Sequence, residues 1–241
     1  MRIGNREFRP RIVPTLAAAV VFGLLMSLGF WQLDRAAQKA ALHAAFLERS
    51  SAPPVLLDDT RMEADTVTWR RVRLRGRYDA TAIYLLDNQV HAGQAGYLVY
   101  SPFVTDGGRR VLVSRGWIPA GTDRTRAPSV LTSAGELELE GLAKPPPITP
   151  VRGETPPEPL AAGMWRVQQI DLAAIGARHA WQLPGYEVRL DAPETGFVRD
   201  WPAPGSGRER HLGYAFQWFA MAAVLGIIWI VVNLKRAGPA T

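Results

Sequence analysis

IVPTLAAAVVFGLLMSLGFWQL, from Ile12 to Leu33, runs 22 residues without a formal charge. LGYAFQWFAMAAVLGIIWIVVNL, from Leu212 to Leu234, does the same for 23. At about 1.5 Å per residue each helix reaches roughly 33 Å, enough to cross a hydrocarbon core about 30 Å thick. Pro14 falls in the first turn, where a missing N–H costs little. Trp31 lies near one end of the first span; Tyr214 and Trp218 lie towards one end of the second and Trp229 towards the other. Membrane–water interfaces collect aromatic residues in this way. A helix pair buried in a soluble core is the other reading. The position of both runs at the chain ends, each with Arg/Lys beside it, favours the membrane. Small residues at Ala19, Gly23 and Ser27, and at Ala222 and Gly226, predict spans that pack on each other or on partner helices.

The net charge is +6 over 241 residues, but its location matters more than its size. Residues 1–11 carry net +3 and residues 235–241 net +2, leaving +1 for everything between. A nucleic-acid binder gathers its basic residues on a folded surface that tracks phosphates. These tails are short, expected to be too short to fold, and each abuts an apolar run, so no nucleic-acid partner is expected. The positive-inside rule puts both tails, 1–11 and 235–241, in the cytoplasm. The intervening segment, 34–211, then lies outside the cytoplasmic membrane, which in a bacterium means the periplasm. The first span is longer than a signal-peptide core, and FWQLDR follows it rather than a small-x-small cleavage site, so an uncleaved anchor is expected. With no cysteine there is no disulfide, thiolate metal site or thioether-linked haem.

Asp34–Ser50 is rich in Ala, Leu, Gln and Lys and should continue the first helix until Ala52, Pro53 and Pro54 stop it. The hydrophobic period then changes to two. In WRRVRLRGRYD, Val72, Leu74, Gly76 and Tyr78 alternate with Arg71, Arg73, Arg75 and Arg77, which predicts a half-exposed strand. Its arginine face is either a solvated surface or a dock for an acidic partner or a propionate. AIYLLD, GYLVYSPFV, RRVLVSRGWIP, ELELEGLA, MWRVQQI and GYEVRLD add six strand candidates, and Asp171–His179 one helix with Asp171 as its N-cap. Proline-rich Ala143–Pro159 should be irregular. The fold class expected is an α+β membrane protein in which two transmembrane helices, 12–33 and 212–234, flank one mostly-β extracytoplasmic domain.

GxSxG, HExxH, P-loop and GxGxxG motifs are absent, and His43, His91 and His179 lack the spacing of metal ligands. Ser114 reads as a strand residue and Asp87-Asn88-Gln89-His91 as a turn or a binding loop. No enzyme is expected. His211 differs, because an ionisable residue at the edge of a membrane span is costly. On a helix it shares a face with Tyr214, Ala215, Trp218, Ala222, Leu225 and Trp229. An imidazole above an apolar aromatic stripe suits a flat hydrophobic cofactor such as haem. An interfacial His that only anchors its helix fits the same spacing, and both readings stand.

Four motifs, in order, carry a family resemblance. Gly29-x-Trp31-Gln32 with Arg35 and Lys39, then Asp87-Asn88-Gln89 with Gly96-Tyr97 and Ser101-Pro102, then Val113–Pro119 (VSRGWIP), and finally His211-Leu212 with Tyr214, Ala215, Gln217, Trp218 and Phe219, resemble the surfeit-locus-one (Shy-type) cytochrome c oxidase assembly proteins. The resemblance implies a multi-pass protein of the cell inner membrane that builds haem-copper oxidase. It implies delivery of haem a, bound as cargo, to the oxidase catalytic subunit, in company with other assembly or haem-synthesis proteins and membrane lipid. It implies His211 as ligand to the haem iron; Tyr214 and Trp218 then belong to the cofactor-binding set. The Trp31-Gln32 and Arg115-Gly116 motifs serve packing, docking or haem contact. Departures are Ser114 for the family's usual Asn, Glu209 where Asn is common, and PVRGETPPEP in place of an Asn-rich stretch before Trp165 and Asp171. A haem-independent scaffold that docks oxidase subunits is the alternative. A sensor ectodomain or a tethered hydrolase would need an output partner or a nucleophile motif.

Overall fold

The computed structural model describes residues 2–3, 6–8, 10–57, 62–149 and 155–236. By contacts the chain divides into a helix unit, Met1–Ala45 with Pro202–Thr241, and a β unit, Phe46–Trp201. Asp34–Ala45 and Pro202–His211 thus belong with the helices rather than with the β domain.

Two short strands, β1 (Arg2–Ile3) and β2 (Arg6–Phe8), precede helix α1, Ile12–Ser50. No Gly or Pro interrupts residues 34–50, so the helix continues unbroken beyond the apolar span. In the β unit follow β3 (Val55–Leu56), the single turn α2 (Ala64–Val67), β4 (Arg71–Tyr78), β5 (Ile83–His91), β6 (Gln94–Thr105), β7 (Arg110–Pro119), β8 (Leu137–Lys144), β9 (Glu158–Ala161), β10 (Met164–Val167), α3 (Leu172–His179) and β11 (Glu187–Leu190). Helix α4 (Arg208–Asn233) and strand β12 (Leu234–Arg236) complete the described chain.

All seven strands expected from alternation are present. The proline-rich stretch is irregular over 145–149 but yields β9 at Glu158; 150–154 lie outside the described residues. The Asp171 carboxylate accepts from Ala174 N at 2.9 Å and caps α3. The tails differ from expectation: β2 pairs with β1 and with β12, register Leu234↔Phe8. Each tail is too short to fold alone, but each supplies the backbone partners the other lacks.

The sheet of the β unit runs β3-β4-β8-β11-β7-β6-β5-β10-β9, and β6 also pairs with β4. Strands β4, β8, β11, β7 and β6 therefore close a ring, and β5, β10 and β9 extend from β6 as an open wing. The inward face of the ring, Val72, Leu74, Tyr78, Phe103, Val111, Val113 and Val188, forms one buried cluster. On the wing, Tyr84, Leu86, Tyr100 and Leu112 face α3 through Ile175, and Ile83, Leu85, Tyr97 and Val99 form the opposite cluster. Burying both faces explains the near-continuous apolar runs of β5, β6 and β7.

The arginine face of β4 is not a free basic surface. Arg71 pairs with Glu140 at 2.9 Å, and Arg73 and Arg75 with Glu138 at 3.1 Å. Alternating acids on β8 meet alternating bases on β4 because antiparallel register sets them side by side. This ladder favours the solvated face for Arg71, Arg73 and Arg75; Arg77, at the end of the strand, has no acidic partner among the described residues.

Glu187 is buried, with Lys144 Nζ at 3.1 Å and the Tyr100 hydroxyl donating at 3.5 Å. Burial raises its pKa above the ordinary 4.5, and Lys144 only partly offsets this. The folded state therefore holds a proton that the unfolded chain releases. Its contribution to stability is full below the unfolded value and is lost as pH rises through the raised folded one. Glu187→Gln is expected to flatten that decline, measured by urea unfolding of the full chain in detergent between about pH 4 and pH 8. A decline of equal slope in the variant would assign the dependence to another group.

Candidate cofactor site in the helix unit

Helices α1 and α4 are apolar over spans long enough to cross a membrane, and only 6% and 11% of their most apolar windows is buried. A helix pair of a soluble core would be mostly covered, so the exposed apolar surface decides against that reading. The two helices meet along Gly29, Gln32 and Ala36 of α1 and Ala215 and Ala222 of α4, all buried. A Cβ at Gly29 would stand 2.5 Å from the Phe219 ring, so only glycine admits that ring over the backbone. Phe30 closes on the same ring edge-on at 5.3 Å. This rotation leaves Ala19, Gly23 and Ser27 exposed. The small-residue face read from the sequence is thus not the face that meets α4. The bulk of Phe219 and the polarity of Gln32 set the helix rotation instead. At the other end of the pair, Trp229 Nε1 donates to Thr15 Oγ1 at 3.1 Å.

His211 lies inside α4, in its first turn, because the helix begins at Arg208 after Gly207 in left-handed conformation. Its Nδ1 is 2.7 Å from Oε1 of Gln32. An amide oxygen only accepts, so in the neutral imidazole this contact places the proton on Nδ1 and leaves Nε2 its lone pair. Metal-ligating histidines have this arrangement, with the second ring nitrogen tied to an acceptor. The residues present therefore fit an iron porphyrin bound through Nε2. Trp218 is half-buried and Tyr214 is exposed, outside the seam. The predicted stripe is divided: Ala215, Ala222 and Trp229 are taken up by α1, and the His211–Tyr214–Trp218 end keeps open aromatic surface. Nearby, the segment before α4 rests on the α1 extension, with His43 Nδ1 3.1 Å from Pro204 O.

The other motifs lie in the β unit, where they are internal fastenings. Asp87 is buried in β5 and takes hydrogen bonds from Asn88 N, Gln168 Nε2 and Arg124. Asn88 adopts a left-handed φ of 58° at a bulge in β5. Gln89 O accepts from Trp117 Nε1 at 2.9 Å. At Gly96 a Cβ would collide with Ile118 O and the Trp117 ring. The Asp-Asn-Gln, Gly-Tyr and Arg-Gly-Trp motifs thus occupy adjacent strands and fix one another. Arg115 is fully buried, with its guanidinium between the Tyr78 and Phe197 rings at 4.7 and 4.4 Å, and it pairs with Glu194. Gly116, at φ 135°, faces Phe197, Val198 and Arg199 at distances no side chain could share. Trp165 stacks on Tyr84 at 5.2 Å, and His179 stacks on Trp181 while meeting the Tyr84 hydroxyl at 2.8 Å. Ser114 is a buried strand residue.

Residues 19–223 match the SURF1 family. The chain belongs to the SURF1 family. It is 27% identical to Surfeit locus protein 1 of Takifugu rubripes, over 92% of this chain and 95% of that protein. It is 27% identical to the SURF1-like protein of Rickettsia bellii, over 89% and 88%. Surfeit locus protein 1 of Homo sapiens shares 26% over 86% and 73%. The match reaches from within the first span to within the second, so both helices and the β unit belong to this SURF1 fold. Sequence reasoning singled out His211 as a candidate but did not anticipate Gln32 as the residue it touches. The signal was there: Gln32 is the one amide side chain in the first span, set there by the GxWQ motif.

Proposed function

We propose that this SURF1 protein is an assembly factor for cytochrome c oxidase that holds haem a on its helix pair and assists its insertion into the catalytic subunit. His211 is the iron ligand, and Tyr214 and Trp218 supply aromatic surface for the macrocycle. The work is reversible ligation without covalent chemistry: a hold firm enough to keep an apolar pigment from water and loose enough to pass it on. The protein sits in the inner membrane with its β domain in the periplasm and both termini in the cytoplasm. The basic residues flanking the spans support that orientation. Its partners are the catalytic subunit, other assembly or haem-synthesis proteins, and lipid.

One observation carries the reading. The first and last of the four motifs, 179 residues apart, meet in a single bond between Gln32 and His211 that leaves Nε2 free. A helix anchor alone would not need that bond.

Protein purified in detergent from cells that make haem a is expected to show a Soret band, and His211→Ala to lose about nine-tenths or more of it, as removal of an axial ligand does. An undiminished band in the variant would remove His211 from the ligand role. Oxidase subunits that co-purify without pigment, in amounts indifferent to His211→Ala, would favour the scaffold instead.

A further inference from the structure

Gln32 is buried in an apolar helix, 8% exposed. Burying an amide without a partner costs about 1–3 kcal/mol, so the position is not neutral packing. On α1, Gln32 lies one turn from Gly29 and one from Ala36, all on the buried side towards α4. Gly29 admits the Phe219 ring, and in the same seam the Gln32 side chain reaches His211. Histidine in water favours the tautomer with the proton on Nε2, which blocks that nitrogen as a ligand. Here the acceptor at 2.7 Å stands on the other nitrogen.

We infer that Gln32 is a positioning residue that holds His211 in the Nδ1–H tautomer, presenting a bare Nε2, and thereby sets how long the site retains a haem. The tautomer claim stands on the geometry alone; the retention claim rests on His211 as the ligand. A neutral amide suits release as well as capture. It orients the ring and raises ligand basicity slightly, without the charge by which a carboxylate would tighten the iron bond further.

The test uses the full chain in detergent. Imidazole ¹⁵N spectra of the haem-free protein, with the His211 signals assigned by their loss in His211→Ala, are expected to show Nδ1 protonated and Nε2 bare. Gln32→Met, which keeps length and removes the acceptor, is expected to move the proton to Nε2. Gln32→Glu, which keeps an acceptor, is expected to hold it on Nδ1. Ferric haem loaded on Gln32→Met is expected to pass to apomyoglobin about 10–100 times faster than from the parent. An Nε2–H signal in the parent, or an unchanged tautomer in Gln32→Met, overturns the inference. An unchanged transfer rate overturns its retention half, even where haem binds through His211. A parent with the expected tautomer that takes up no haem sinks the ligand reading and leaves Gln32 its positioning role.

Discussion

Arg115→Leu is expected to destabilise the β unit by about 3–5 kcal/mol, the usual result of removing one partner from a buried ion cluster. Arg115 stands at the bulge of β7 opposite Val99 and Tyr100, and its exposure is 1%. It donates to Leu131 O at 2.8 Å and pairs with Glu194. Glu194 is shared with Arg199, whose Nε returns to Arg115 O at 2.6 Å. The cluster thus ties the 194–199 segment to β7, beside the bridge between Val198 and Trp117. Leucine would fill much of the space between Tyr78 and Phe197 yet leave Glu194 half-paired and Leu131 O without its donor. Arg115→Lys keeps the charge but loses the planar fork and the stacking, so an intermediate loss is expected. Thermal unfolding of the full chain followed by tryptophan fluorescence should show a midpoint lower by roughly 10 °C in the leucine variant. A shift of one or two degrees would mean that the cluster is decoration.

The second large effect belongs to the helix unit. Gly29→Val puts side-chain atoms where the Phe219 ring lies, against 2.5–2.9 Å already for a Cβ alone. The ring also meets Phe30 edge-on, so moving it aside would forfeit that contact and the seam it fills. The helices should part at this level, and the Gln32–His211 bond with them. Haem occupancy after purification is expected to fall about tenfold or more, on the scale of losing a ligand's supporting hydrogen bond. Adding Phe219→Ala makes room for the valine and should restore most of it. A valine variant that loads like the parent, or a pair no better than the single change, would disconnect the seam from the site.

Much of this was legible in the chain. Alternation exposed the strands because each ring strand has one face on a core, as in Val72, Leu74 and Tyr78 against Arg71, Arg73 and Arg75. Uncharged length exposed both spans. What could not be read is what depends on distant residues meeting. Glu138 and Glu140 show the same two-residue period as the arginines they pair with, but only the β4–β8 register makes them partners. Of the small residues, Ala222 lies in the seam while Ala19, Gly23 and Ser27 face away from α4, since spacing does not say which face a bulky Phe219 will choose. Gln32 and His211 each sit in a recognisable motif, and nothing local in either shows that they touch. Arg115 is the converse case. A buried guanidinium in an apolar strand signals a fastening, and its partner Glu194 lies in a segment without regular structure.

Strand β6 has a consequence beyond its own hydrogen bonds. Its last residues close the ring on β4 and its earlier ones carry the wing through β5. One continuous backbone is therefore common property of both halves. The β unit should melt in a single cooperative step: any cut that frees the wing strips the partners from residues 94–100 of β6, the same strand that closes the hoop.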